Sequence, residues 1–461
     1  MEISDIKRVY FLGIGGIGMS ALARYFNEKG VTVSGYDKTE TVLTKQLVAE
    51  NIAVHYEDNI EFIDKAAEIV IYTPAVPKDH KELNYFLENN YRLVKRSEVL
   101  GSITNNTYNI CIAGTHGKTT TSTMVAHILR HSGYGCNAFL GGIAVNYKSN
   151  FWPQAPGGAS QINVSVVEAD EYDRSFLRLS PDVAIISSMD PDHLDIYGTA
   201  ENIEQAFIDF SQRIKPGGLL LSKYGLKRTD DLKATKHLTF HLQNENASVY
   251  AANIKMKRGS YEFDVLMQNW EIKDVVLNMG GLHNIENMIA AISVAHYLEI
   301  DNDKVRKAVA AFRGVKRRFE YIIKNDEQVM VDDYAHHPEE LRALLTGAKE
   351  LFPEVKCTVI FQPHLYSRTK DFADGFAETL DLADEVILLP IYPARELPMD
   401  GVNSEMILNK MKINNKRVLD KAAVLEWIKN NRTELLITAG AGDIDTLVEP
   451  IKKILKTKFE N

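Results

Sequence analysis

The stretch Ile110–Thr123, ICIAGTHGKTTTST, decides how this chain folds. Tyr108 to Ala113 is an apolar run suited to a buried central strand, and a helix is expected after the glycines. Gly114 and Gly117 let the backbone curl so that consecutive N–H groups point inward, and Lys118 adds a positive charge where triphosphate oxygens would lie. Thr119 or Thr120 can then place a hydroxyl on magnesium. The common phosphate-binding loop carries a glycine five residues before its second one, and here that position is Ile112, so the turn is a shortened variant. A strand, turn and helix need bind nothing, but an apolar strand, two glycines, a lysine and three threonines in this order favour phosphate. On this reading Lys118→Ala abolishes nucleotide turnover and leaves the fold intact.

Working outward, Val164 to Val167 is an apolar strand that delivers Glu168 to the carboxyl end of the same sheet, where a magnesium ligand belongs. The alternative for Glu168 is a plain helix cap. Asp182 to Ser188 is another apolar strand, running into MDPDHLDIYG with Asp192, His193 and Asp195. A lone loop histidine such as His193 is ordinarily structural. Gly217 to Ser222 resembles a further strand, and the alternation over Lys223 to Lys273 suggests antiparallel strands. GGLHNIENMIAAISVAHYLEI opens on glycines and becomes an amphipathic helix, with His283, Asn284 and Asn287 at its start. Amides there either cap the helix or read a purine edge and ribose.

Upstream, Arg8 to Leu12, the turn Gly13-Ile-Gly15-Gly16-Ile17-Gly18, a helix over Met19 to Lys29 and a strand ending at Asp37 form a dinucleotide-binding fingerprint, acid included. Alone it suggests a nicotinamide oxidoreductase with Asp37 on the ribose. The same turn serves any diphosphate, and glycines also permit close helix–strand packing. Strand-like runs at Glu68 to Tyr72 and Arg92 to Val94 continue the α/β pattern. Downstream, FRGVKRRF is an interdomain junction in which Arg317 and Arg318 are either solvated charges or reach a γ-phosphate. Beyond it, strands at Val329 to Val331, Thr358 to Phe361, Glu385 to Leu389 and Leu435 to Thr438 deliver DDYAHHPEEL, QPHLYSRTKDF, PIYPARELP and AGAGD to one sheet edge, a ligand crevice. A helix opens at Pro338.

The 461 residues fit about three domains, and 45% hydrophobic content provides real cores. A net charge of −9 disfavours nucleic acid and anionic membranes as partners. Three scattered cysteines, Cys111, Cys136 and Cys357, suit reduced thiols better than a disulfide framework. The N-terminus reads as a strand and not a signal peptide, and no apolar segment reaches the roughly 20 residues of a membrane span. A cytoplasmic protein is expected.

GTHGKTTT, VVEADEYD, MDPDHLD, GLHNIEN, VKRRFE, DDYAHHP and FQPHLYSRT, in this order and spacing, closely resemble the Mur ligases of peptidoglycan synthesis, over nearly the whole chain. DDYAHHP with FQPHLYSRT points to the alanine-adding branch. The resemblance implies an α/β fold of three domains: an N-terminal Rossmann-like domain, residues 1–106, that binds the UDP-sugar instead of NAD; a central P-loop ATPase-type mixed sheet, 107–314; and a C-terminal Rossmann-like domain, 315–461, for the amino acid. It further implies that ATP phosphorylates the lactyl carboxylate of UDP-N-acetylmuramate and that the amine of L-alanine attacks the acyl phosphate.

By the same resemblance Gly114, Thr115, His116, Gly117, Lys118, Thr119, Thr120, Asn284 and Asn287 contact ATP, and Gly15, Gly16, Ile17, Gly18 and Asp37 contact the UDP-sugar. Lys118, His193 and Arg318 are the catalytic set. Thr119, Glu168 and His193 bind magnesium, and Tyr334, His336 and Arg368 bind the amino acid, with Arg368 on its carboxylate. A carbamylated lysine that some relatives place after the DHLD-type loop has no counterpart in AFIDFSQRI. Close relatives often have arginine at Leu365 and YPAGE where this chain has YPARE. Substrates divided among three domains imply closure, and a monomer or weak homodimer is expected. The competing readings are a ligase that recycles a whole tripeptide onto the same UDP-sugar, the nicotinamide oxidoreductase, and a regulatory nucleotide-binding module without turnover.

Overall fold

The computed structural model describes residues 5–191, 194–394 and 396–459. Two compact units divide the chain: Met1–Ala251 with Val265–Ile272 and Glu286–Val309, and Ala252–Asp264 with Lys273–Ile285 and Ala310–Asn461.

The first unit begins with β1 (Arg8–Leu12), whose Val9–Leu12 run is buried because both faces of the strand are covered. Val9 and Phe11 enter one core and Tyr10 and Leu12 another. It is the middle strand of an all-parallel sheet with β2 (Thr32–Tyr36), β3 (Ala53–His55), β4 (Ile69–Tyr72) and β5 (Leu93–Lys95), in the order β3-β2-β1-β4-β5. Helix α1 (Ile17–Glu28) starts two residues earlier than the sequence suggests, with Gly16 as its N-cap.

The second sheet comprises β6 (Tyr108–Ala113), β7 (Asn137–Ala144), β8 (Ser149–Trp152), β9 (Val164–Glu168), β10 (Val183–Ile186), β11 (Leu219–Lys223), β12 (Lys236–His241), β13 (Val249–Lys257), β14 (Ser260–Met267) and β15 (Trp270–Leu277). Its order is β15-β14-β13-β12-β11-β10-β6-β9-β7-β8. The expected strand β6 has the predicted bounds, and helix α2 (Lys118–His131) follows it directly. One expectation is corrected: β12 runs parallel to β11, and β13 parallel to β12. Antiparallel hairpins start only at β13, where two-residue turns at Arg258–Gly259 and Gln268–Asn269 separate the last three strands.

Helix α1 lies against β7 and β8, tying the first two sheets together. Tyr25 packs against the paired rings of Phe139 and Phe151, with ring centroids 5.6 and 6.0 Å away. Beneath them Arg24, 5% exposed, forms a two-pronged pair with Glu50 at 2.7 and 2.8 Å and donates to Asn150 Oδ1. Asn150, fully buried, returns hydrogen bonds to Ile17 O at 2.5 Å and Ser20 Oγ at 3.0 Å. Helix α3 (Leu282–Tyr297) follows the last hairpin.

The third sheet, in the second unit, has β16 (Glu320–Lys324), β17 (Val329–Asp333), β18 (Cys357–Phe361), β19 (Glu385–Leu388), β20 (Lys416–Val418) and β21 (Leu435–Ala439), ordered β16-β17-β21-β18-β19-β20. Only β16 is antiparallel. The four expected loops therefore leave one edge. Helix α4 (Pro338–Leu351) opens at the predicted proline and short α5 (Tyr366–Asp371) follows β18. The α/β class with three sheets is as anticipated, and no helix among the described residues is long and apolar enough to cross a membrane.

Candidate active site

After β6 the backbone adopts φ +136° at Gly114 and +82° at Gly117, conformations that side chains rarely take. This wraps the turn around the first residues of α2. Lys118 Nζ lies back across the turn, donating to Gly114 O at 2.7 Å and to Glu171 Oε1 at 2.8 Å. Glu171 is 0% exposed, so Lys118 faces a carboxylate held away from water. Next to it the Thr119 hydroxyl donates to Glu168 Oε1 at 3.0 Å, and Gly141 N–H holds Glu168 Oε2 at 2.9 Å. Thr120 is buried behind them.

The end of β10 braces this turn from the side. His116 N–H donates to Ser188 Oγ at 2.8 Å, the Thr115 and Ser188 hydroxyls are 2.9 Å apart, and Ser187 Oγ donates to Ala113 O at 3.2 Å. A Cβ on Gly117 would stand 2.8 Å from Asn287 Oδ1, which places that amide against the mouth of the turn. Asn284, 2% exposed, donates to Gly280 O at 2.7 Å, which ties its side chain to the glycine turn before the helix. His193 lies outside the described residues.

These groups fit a nucleotide and a hard cation. Lys118 and the curled amides supply positive charge, and Thr119 with Glu168 supplies two oxygen donors 3.0 Å apart, the kind magnesium takes while keeping waters and phosphate oxygens. Among the described residues no three His, Cys, Asp or Glu side chains cluster to hold a metal without such help.

Gly15, Gly16, Ile17 and Gly18 lie between β1 and α1. Asp37, at the end of β2, turns back to them: its carboxylate accepts the Gly15 N–H at 2.7 Å and the Thr39 N–H at 3.2 Å. The acid thus braces the glycine turn. A Cβ on Gly18 would stand 2.8 Å from Arg96 Nη1, and Arg96 reaches Asp170 at 3.4 Å, linking this loop to the segment after β9.

In the second unit Arg317 and Arg318 diverge. Arg317 folds inward, its guanidinium 3.3 Å from buried Asp332 and 5.1 Å over the Tyr334 ring, and it donates to Gly440 O. Arg318 is exposed. Burial outweighs Arg317 and pushes Asp332 up to about 7, while Asp333, which accepts N–H groups of Phe319 and Ala335, is pushed by burial to about 6. From β17 a line of rings crosses to the neighbouring loops: Tyr334 to His336 at 5.2 Å, His336 to His364 at 6.2 Å, and His364 stacked on Tyr392 at 5.8 Å and 13°. Arg368 stands in the first turn of α5, and Glu396 accepts the Ser367 N–H at 2.9 Å and the Ser367 hydroxyl, which fixes the start of that helix.

Glu171, Ser187, Ser188, His364 and Glu396 were not singled out by the sequence. Glu171 stands three residues after Glu168 in the same motif, and a second acid there was the available signal. The two serines carried none.

Three family models match in series: the Mur ligase family catalytic domain over residues 8–108, the Mur ligase middle domain over 112–295, and the Mur ligase glutamate ligase domain over 317–444. The UDP-N-acetylmuramate–L-alanine ligase of Cytophaga hutchinsonii is 46% identical over 465 residues, covering 100% of this chain and 99% of that protein. That of Flavobacterium johnsoniae is 47% identical over 459 residues, covering 99% of each. The crystal structure of UDP-N-acetylmuramate-alanine ligase from Thermotoga maritima superposes with a TM-score of 0.81 at 28% identity, covering 98% of this chain and 99% of that one.

Proposed function

The chain belongs to the Mur ligase family, and from that premise we infer that it is the ATP-dependent ligase joining L-alanine to the lactyl carboxylate of UDP-N-acetylmuramate, through an acyl phosphate, in peptidoglycan precursor synthesis. The observation that carries the chemistry is Lys118, whose ammonium lies across the Gly114–Gly117 turn beside Thr119 and Glu168. The nicotinamide reading falls with the family, and Asp37 acts on the glycine turn itself.

We assign residues 1–106 to the UDP-sugar, 107–314 to ATP and 315–461 to the amino acid. Phosphoryl transfer to the lactyl carboxylate gathers negative charge on the phosphoryl oxygens. Lys118 and the turn's amides counter it from fixed positions, without the reorientation that water would need. Magnesium held by Thr119 and Glu168 would neutralise further phosphate charge. His193 is assigned to the metal and Arg318 to the phosphoryl group. Asn287 sits against the turn where it can contact the nucleotide. In the second step the amine of alanine attacks the acyl carbon and phosphate departs, with Tyr334, His336 and Arg368 lining the amino-acid site. Three buried thiols and a need for ATP suit the cytoplasm.

The test is phosphate release with UDP-N-acetylmuramate, ATP and magnesium, comparing L-alanine with the tripeptide. Release with alanine alone supports the assignment. Release with the tripeptide instead assigns the recycling reaction, and release indifferent to the amine overturns both.

A further inference from the structure

We propose that His364 is the catalytic base that takes the proton from the α-ammonium group of the incoming amino acid while Arg368 holds its carboxylate. The proposal rests on the ligase reading above and adds a residue to it.

An amino acid enters as a zwitterion, and an ammonium has no lone pair with which to attack an acyl phosphate. One N–H bond must break first. The site therefore needs a donor for the carboxylate and, a short distance away, an acceptor for the ammonium. The loop after β18 offers that combination. Among the described residues, Arg368 Nη1 and His364 Nδ1 are buried and have no hydrogen-bond partner. Buried polar atoms left in that state are costly unless a ligand satisfies them. One of the two atoms donates, and the other accepts in the tautomer whose proton is on Nε2. Together they complement the two ends of an α-amino acid.

The imidazole is also held in place. Tyr392 N–H donates to Pro363 O and Leu365 N–H to Tyr392 O, both at 2.9 Å, so the loops after β18 and β19 are zipped on either side of His364. Its ring stacks on Tyr392. Leu365 takes φ +69°, unusual for a branched side chain, and this turn brings α5 immediately after the histidine. Arg368 then stands inside the helix that begins two residues after His364.

The charges around the ring keep it ready to accept. Burial first, then Arg368 from α5 and His336 from the loop after β17, hold His364 below the ordinary histidine value, while Glu396 from the loop after β19 pulls the other way. His336 itself lies 3.3 Å from Glu340. A neutral imidazole with a lone pair is therefore present at neutral pH.

The step balances as follows. The ammonium N–H bond breaks and its proton passes to His364 Nδ1. The freed lone pair forms the C–N bond to the acyl carbon, and the C–O bond to phosphate breaks with its electron pair leaving on phosphate. The nitrogen, cationic once the C–N bond has formed, passes its second proton to the departing phosphate to leave the neutral amide, and the imidazolium releases its proton to water.

Two nucleophiles separate this role from a structural one. L-alanine arrives protonated at pH 7.5, whereas hydroxylamine is neutral there and takes the acyl group as a hydroxamate without a base. H364N and H364Q are each expected to lower kcat with L-alanine by about 10²–10³-fold, within the usual range for a lost general base. KM for alanine should change little, hydroxamate formation should stay at the wild-type rate, and the alanine defect should shrink as pH is raised toward the amine's own pKa. Equal losses with both nucleophiles, or a defect constant across pH 7–9.5, overturn the base role. Wild-type protein that forms no hydroxamate would instead sink the ligase reading itself.

Discussion

Removing the ammonium of Lys118 should cost more than activity. Glu171 is fully buried and Lys118 is 15% exposed, with 2.8 Å between Nζ and Oε1. At an effective dielectric of about 20, that separation corresponds to an attraction of about 6 kcal/mol before desolvation is deducted. Lys118→Ala strips a buried carboxylate of its ammonium partner, a change that typically destabilises by about 3–5 kcal/mol. The expectation that this variant keeps the fold intact therefore needs a companion. In Lys118→Ala/Glu171→Gln the acid is neutral and the remaining amide needs only hydrogen bonds, so about 2–3 kcal/mol of the loss should return. Urea unfolding of wild type, both single variants and the double variant, followed by circular dichroism and tryptophan fluorescence, gives the coupling energy of the cycle. All variants lacking Lys118 should lack turnover. A coupling below about 0.5 kcal/mol, the level at which independent sites add, would refute the claim that the buried acid depends on this lysine.

Three other outcomes follow from the same structure. Gly114→Ala should destabilise by more than about 3 kcal/mol, since φ +136° is nearly closed to side chains and the new Cβ would stand 2.2 Å from Ser187 Oγ and 2.9 Å from Ser188 N. Gly117→Ala, at φ +82° and facing only the end of the Asn287 side chain, should cost about 1–2 kcal/mol; thermal melts that rank the two in reverse would be inconsistent with this geometry. Asp332, raised to about 7, keeps its proton in the folded state where the unfolded chain has lost it, so its contribution to stability declines as pH rises from about 4 to about 7. Melting of Asp332→Asn should lack that decline, and parallel wild-type and variant curves would contradict it. Asn150→Leu should weaken UDP-sugar binding, read by calorimetry, because Asn150 holds Ile17 O and Ser20 Oγ at the start of α1; an unchanged Kd would rule this out.

Local chemistry made much of this molecule legible. The run from Tyr108 to Thr123 announced its strand, turn and helix because buried strands, glycine curls and helix starts are short-range features. The four loops of the third sheet were readable for the same reason, each being an apolar run that ends in polar residues. What escaped depended on partners distant in the chain. Lys236–His241 alternates like an antiparallel strand, yet its neighbour is Leu219–Lys223, reached by a parallel connection that no local pattern specifies. Asp37 has the spacing of a ribose ligand, and only the folded loop shows its carboxylate on the Gly15 N–H. Ser187 and Ser188 look like the tail of a strand until the turn they brace, more than seventy residues earlier, is beside them. Arg317 and Arg318 are chemically alike, and burial against Asp332 separates them.

The clasp of Arg24 and Asn150 has a bearing on how this enzyme can be taken apart. A fragment severed after residue 106 would keep Arg24 and Glu50 but would lose Asn150, and the aromatic flank of Tyr25 would be laid bare to solvent. Such a piece invites self-association where the native molecule has a seam. The glycine loop that we assign to the sugar nucleotide is in this sense held from two sheets, and workable dissections of the chain would keep its first 160 or so residues in one polypeptide.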